Sequence, residues 1–444
     1  MFQTIRNAWK VPDLRKKILF TALILLIFRL GAALPVPFLN IGETGIFGDA
    51  AENTFMAYLT MMTGEAFNYG TLFAMSITPY INSSIIIQLL TVAIPALERL
   101  SKDGEEGRKK ISAITRYVAI GLAAIQSTAY FLYIRSGGYL TADSDGNPYT
   151  GFFAVFQALV IIFALTAGSA LVMWLGEQIN VKGIGNGISM ILFAGIISRI
   201  PTTVTLMYQH LQQRGPNLVI IPLAAVIMLL MIAYIVWMDN AEQRIPVQYA
   251  KRVVGRKMYG GQNSYIPIKV NMSGVLPIIF ASSILSIPPT INMFVGASAE
   301  NKPNLYKWLF HPFEQDHWVY GIIYFVLIIF FAYFYSAIQY NPVEMANNLR
   351  KNGGTVPFVR PGRPTSDYIA KIINKIVLLG ALLLSVVALL PIVYSQICSL
   401  IPGASVSGIS MGGTSVIIVV GVALETVRQL ESQMMMRHYK GFLD

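Results

Sequence analysis

Charged residues are scarce in this sequence: they make up only 12% of 444 residues, about half the share in an average soluble protein. A surface wetted on all sides needs more charge than that, so a single solvated domain is excluded. Disorder is excluded as well, because it requires low hydrophobicity and high net charge, and here 55% of residues are hydrophobic. Cysteine is limited to Cys398, which leaves no disulfide and no cysteine metal site. The four histidines, His210, His311, His317 and His438, fall between or beyond the apolar runs. No HExxH or Walker loop occurs. Gly183-Ile184-Gly185-Asn186-Gly187 follows an apolar helical run rather than a strand, so it reads as a tight turn opening the next helix. The sequence therefore points away from an enzyme: no catalytic residue, metal ligand or cofactor is expected.

What is abundant is apolar length. Mean hydropathy is +0.57, and stretches of the ~20 residues that cross a bilayer recur along the chain. Ten are expected, at roughly 18–37, 76–95, 117–136, 152–175, 185–203, 218–237, 273–294, 318–338, 369–394 and 411–430. They do not alternate as barrel strands would. The fold class predicted is an all-α polytopic membrane protein with ten transmembrane helices. The first run reads as a span rather than a cleavable signal peptide, because Arg29 interrupts it and no small-residue cleavage site is convincing around 34–37.

The net charge of +11 is concentrated in the N-terminal arm and in alternate loops. Loop 96–116 holds six Lys and Arg residues, whereas loop 38–75 holds none. By the positive-inside rule both termini are cytoplasmic. Loops 238–272 and 339–368 are long for connections between packed helices. They carry Arg244, Lys251, Arg252, Arg256 and Lys257 in the first, and Arg350, Lys351, Arg360 and Arg363 in the second. Such residues fix topology and touch anionic lipid, or they form a docking surface for a large acidic partner such as a protein motor or ribosomal RNA.

Five spans followed by five predict two halves, 1–205 and 206–444, of opposite orientation, an arrangement that places a pathway at the interface of the repeats. Segment 55–72 is too short to cross and too apolar for water. It reads as a re-entrant element buried in protein or as an amphipathic segment on the membrane surface. In span 76–95, Ile77, Ile81 and Ile85 share a helix face beside Asn82 and Gln88. Span 273–294 repeats the mixture with Ile279, Ser282, Ser283 and Ser286. Small polar residues glue helices together; flanked by branched residues they also suit a polar lumen with an apolar constriction. A solute transporter, the rival class, would need buried coupling groups. The candidates are few: Arg29, Glu177, and Glu425 with Arg428, which are expected to form an ion pair one helix turn apart.

These segments, taken in order, resemble the SecY family of bacterial protein-conducting channels. The likeness runs through Pro79-Tyr80-Ile81-Asn82-Ser83-Ser84-Ile85-Ile86-Ile87-Gln88, Gly107-Arg108-Lys109-Lys110-Ile111, Trp174-Leu175-Gly176-Glu177-Gln178-Ile179, Gly183-Ile184-Gly185-Asn186-Gly187, Tyr249-Ala250-Lys251-Arg252 and Val359-Arg360-Pro361-Gly362. The resemblance implies a channel with a lateral gate between spans 76–95 and 273–294, lined by Asn82, Ile85, Gln88, Ser282, Ser283 and Ser286. It implies a pore ring of Ile77, Ile81, Leu192, Ile279 and Ile418. It also implies a plug at about 57–68, including Leu59, Met61, Met62, Gly64 and Phe67, where Gly64-Glu65 replaces a frequent Gly-Gly pair. The implied partners are SecE, SecG, the SecA motor ATPase, the ribosome, signal sequences and nascent polypeptides, and anionic lipids. The implied location is the bacterial cytoplasmic membrane.

Overall fold

Proline sets where many of the helices begin. The computed structural model describes residues 2–42, 45–46, 60, 63–141, 149, 151–212, 215–249, 252–254, 257–259, 263–288, 318–401 and 413–440. Its elements are α1 (Phe2–Lys10), α2 (Pro12–Ala33), α3 (Thr78–Ala93), α4 (Pro95–Lys102), α5 (Gly104–Ser136), α6 (Phe152–Lys182), α7 (Gly187–Ser198), α8 (Ile200–Gln212) and α9 (Asn217–Asn240). Strands β1 (Glu242–Tyr249), β2 (Arg252–Val254), β3 (Lys257–Tyr259) and β4 (Asn263–Lys269) follow. The chain continues through α10 (Leu276–Leu285), α11 (Trp318–Gln339), α12 (Pro342–Lys351), β5 (Gly354–Thr355), α13 (Arg363–Ser399) and α14 (Gly413–Lys440). Helices α2, α3, α4, α10, α12 and α13 each carry proline in their first two positions, where its missing N–H costs nothing and its fixed φ suits the helix. Pro95 also holds the preceding Ile94 in extended backbone, at φ −109° and ψ 112°, as the ring requires. The result is a 103° bend between α3 and α4.

Each of the ten expected spans contains a described helix or helix pair. Among the described residues, seven helices reach the length and apolarity of a membrane span, or eight with the bent α3–α4 pair. Helix α2 is 22 residues long but carries Lys16, Lys17 and Arg29. Helix α10 has ten residues, and the rest of its expected span lies outside the described residues. Outward faces are strongly apolar: on α2 alone, Leu19, Leu23, Leu26 and Leu30 are all more than half exposed. Side chains of that kind stand against lipid, and the chain is a multi-pass membrane protein.

Inside a bilayer the association of helices depends on close packing rather than on the hydrophobic effect. Helices α6 and α7 approach so closely that a Cβ on Gly187 would lie 1.8 Å from the Gly176 carbonyl oxygen. The turn between them is pinned from three sides. Thr21 accepts the Ile184 N–H at 3.0 Å, Gln429 that of Gly185 at 2.7 Å, and Asn180 that of Gly187 at 2.7 Å. Asn186 caps α7, its side chain accepting from Ile188 and Ser189. The Gly183–Gly187 segment is thus the tight turn its sequence implies. Helix α14 packs on both α7 and α9, so it brings the end of the chain against earlier helices.

The all-α prediction requires one correction. Loop 238–272 is built of strands: β1 pairs with β4 antiparallel from Glu242↔Lys269 to Gln248↔Asn263, and β5 from the other long loop pairs with β1 at Gln248↔Thr355. The two loops form one three-stranded sheet, in the order β4–β1–β5. Ile245 and Val247 alternate inward and are 1% exposed, packing with Ile268, Leu349, Val356 and Ile369. A period-two pattern eight residues long is easily hidden by the basic residues around it.

Candidate pore, gate and docking surfaces

The five residues expected to form the pore ring come from four separate elements. Ile77 ends the turn before α3, Ile81 lies one turn into that helix, Leu192 is on α7, Ile279 on α10 and Ile418 on α14. All five meet in one apolar cluster, together with Ile191, Val275 and Val419. Ile77, Leu192 and Ile418 are fully buried, while Ile81 and Ile279 are half-buried. The turn that aims Ile77 contains Ser76 at φ +47°, a conformation that costs a non-glycine residue about 1–2 kcal/mol. The α6 residue Ser169 steadies it, its hydroxyl donating to the Ser76 carbonyl at 3.2 Å.

Next to this cluster the segment around Phe67 is packed into protein. Thr60, Thr63, Ala66 and Phe67 are all under 9% exposed, which favours the re-entrant reading over the surface-lying one. Phe67 packs on Tyr130, whose hydroxyl donates to the Phe67 carbonyl, and the Phe67 N–H donates to Thr63 Oγ1 at 3.2 Å. Gly64, at φ +64°, has the Gly195 carbonyl and the Ser198 hydroxyl 2.6 Å from where a Cβ would stand. No other residue fits there. Arg29, the cation inside the first apolar run, donates to the Gly64 carbonyl at 3.5 Å. Glu65, at φ +72°, faces Arg199 at 3.7 Å. Leu59, Met61 and Met62 lie outside the described residues.

Helices α3 and α10 meet along a narrow seam. Ile85 is buried in a cluster with Ile278, Phe280, Ala281 and Leu285, while Ile81 touches this cluster and the ring cluster both. The small hydroxyls turn back on their own helix: Ser282 donates to the Ile279 carbonyl at 3.0 Å and Ser286 to that of Ser283 at 2.6 Å. Ser283 and Gln88 are half-buried. Asn82 Oδ1 is buried without a hydrogen-bond partner among the described residues.

On the basic face, Arg244, Arg350, Lys351, Arg360 and Arg363 are exposed. Arg244 stands 4.7 Å over the Tyr265 ring and donates to Glu242 at 2.7 Å, contacts that hold its guanidinium more firmly charged. The Arg360 carbonyl accepts from Thr365 at the start of α13, and beside it Phe358 is fully exposed at φ +65°. Of Arg252 and Lys257 only the backbone, in β2 and β3, is described; Lys251 and Arg256 fall outside the described residues.

Two ionic arrangements differ from simple expectation. Arg428 does not pair with Glu425. It reaches across to the end of α9, where its guanidinium meets Asp239 Oδ2 at 2.9 Å, the Asp239 carbonyl at 3.0 Å and Asn240 Oδ1 at 2.9 Å. Glu425 is exposed, where an ion pair adds little, whereas the Asp239 side chain is only 14% exposed. Glu177 pairs with Arg116 at 2.6 Å. No sequence signal foretold Asp239, Arg199 or Glu65, because each finds its partner on an element remote in the chain.

The bundle of apolar helices places the chain in the class of multi-pass membrane proteins. The chain belongs to the SecY family, whose model matches residues 71–427. It is 40% identical over 445 residues to the protein translocase subunit SecY of Streptomyces scabiei, and 41% identical over 453 residues to that of Mycobacterium tuberculosis, each match covering both chains completely. Among solved structures it is similar to a protein-conducting channel, with a TM-score of 0.65 at 17% identity over 95% of this chain and 92% of the other. A SecY structure described by a plug domain that stabilises the closed state gives 0.63 at 17%, with the same coverage. Sec61 in the canine ribosome–channel complex gives 0.60 at 15%, again with that coverage. The protein is a subunit of a translocation channel.

Proposed function

We propose that this chain is the passive conduit of a translocase in a bacterial cytoplasmic membrane, carrying unfolded secretory proteins across and releasing transmembrane segments sideways into lipid. Ten helices in two inverted halves, with both termini cytoplasmic, enclose the path. The convergence of Ile77, Ile81, Leu192, Ile279 and Ile418 from four elements carries this reading. The ring acts as a deformable gasket around a moving chain, and the segment from about 57 to 68 closes the idle pore as a plug. Helices α3 and α10 part as a lateral gate, and an apolar segment leaves because lipid favours it by ~0.8 kcal/mol per CH₂.

No nucleotide-binding motif occurs in the sequence, so the driving force comes from a bound SecA-type motor ATPase or from the ribosome. A ribosome-bound Sec61 neighbour supports the second source. The two long loops present Arg244, Arg350, Lys351, Arg360 and Arg363 to such partners and to anionic lipid, with Lys251, Arg252, Arg256 and Lys257 in the same loops. SecE and SecG are the small membrane subunits of the assembly. Replacing Ile81 and Leu192 together by serine tests the gasket: the idle channel in a planar bilayer is expected to conduct ions continuously. Conductance no higher than that of the unaltered channel would refute the assignment.

A further inference from the structure

The segment 63–70 is tied to the bundle by charge as well as by packing. Gly64 and Glu65 are consecutive residues with positive φ, +64° and +72°. A side chain other than glycine holds that conformation only when its surroundings compel it. Here the turn aims the Glu65 carboxylate at Arg199, 3.7 Å away, where the chain passes from α7 to α8. The Arg199 side chain is 15% exposed and that of Glu65 27%. Arg199 Nη1 is buried and has no hydrogen-bond partner among the described residues. A second cation, Arg29, lies on the same turn, donating to the Gly64 carbonyl. Two guanidiniums thus converge on a turn whose one carboxylate in the described residues is Glu65.

We propose that Glu65 and Arg199 form an ionic latch that positions the plug in its seat, a role that rests on the reading of this segment as the plug. The geometry argues against incidental contact. Gly64 is wedged between Gly195, Ser198 and Arg29 with no room for a Cβ, so the turn has one way to sit, and that way presents Glu65 to Arg199. Moving the segment out of the bundle breaks the pair and leaves Arg199 without its counter-charge in a site shielded from water. A buried cation stripped of its partner is costly, so the pair favours the closed arrangement. Attraction between partly buried charges is also screened less by salt than at the surface.

The test is the fraction of time that the idle channel, assembled with its partner subunits in planar bilayers, conducts ions. Glu65→Gln and Arg199→Gln are each expected to raise that fraction about tenfold. The exchanged double variant, Glu65→Arg with Arg199→Glu, is expected to return it toward the original value. Unchanged conduction in both single variants, or a double variant as leaky as the sum of the two, would overturn the latch. If a single variant fails to accumulate in the membrane, recovery of its level by the exchange supports the pair, and absence of recovery refutes it. Deleting residues 57–68 separates the two ideas. A deletion channel that leaks while Glu65→Gln stays tight removes only the latch, whereas a deletion channel that stays tight removes the plug reading as well.

Discussion

Individual residues in this protein are constrained more by neighbours than by their own character. Gly187 needs no special φ. It is glycine because the α6 backbone occupies the space a side chain would fill. Gly187→Ala is therefore expected to push α6 and α7 apart, at a cost of about 1–3 kcal/mol for overpacking, read as a lowered Tm of the purified protein in detergent. Arg428 illustrates a partner that sequence spacing misassigns. Glu425 lies one turn away, but Asp239 offers a more sheltered carboxylate together with a backbone carbonyl and Asn240. Arg428→Ala should cost about 1.5–3 kcal/mol, the range for hydrogen bonds to charged groups, whereas Glu425→Ala should fall within about 0.5 kcal/mol of neutral. Equal effects of the two on thermal stability would contradict the assignment. Ile77 and Ile81 were legible from their four-residue spacing. Leu192 and Ile418 were not, since nothing local distinguishes them from other apolar residues of a membrane helix.

At the level of elements, the helices are written plainly in the sequence and the sheet is not. A run of some twenty apolar residues has one stable form in lipid, because every backbone N–H and C=O must be satisfied within the segment. Strand β1 carries only two inward residues, Ile245 and Val247, and takes its partners from β4 and from β5, the latter in the other long loop. Pairing of that kind is decided by the tertiary fold. Val247→Asp would bury an unpaired carboxylate beneath the sheet, which costs several kcal/mol. Amide exchange across 242–249 and 263–269 is expected to quicken by about a hundredfold or more while the membrane helices stay protected. Protection left intact would show that the sheet does not depend on this core.

For the whole molecule, charge is separated from the apolar bundle, so a basic loop surface stands apart from the faces that meet lipid. Arg360 is exposed in the second long loop and is not a member of the ring cluster. Arg360→Glu is expected to stop motor- or ribosome-driven translocation into vesicles while leaving Tm and idle conductance unchanged; undiminished translocation would remove Arg360 from the docking role. The scarcity of charge and the length of the apolar runs determined on their own that the chain is a helical multi-span membrane protein. The order of its motifs along nearly the full length pointed to its family. Those properties are legible because a bilayer accepts few kinds of segment and the loops carry the orientation signal. Only the tertiary structure decided that Ile77, Leu192 and Ile418 are buried in one cluster, that Glu65 faces Arg199, that Arg428 chooses Asp239, and that two distant loops share a sheet. Each of these depends on groups brought together from remote parts of the chain, and their meeting is set by how the helices pack.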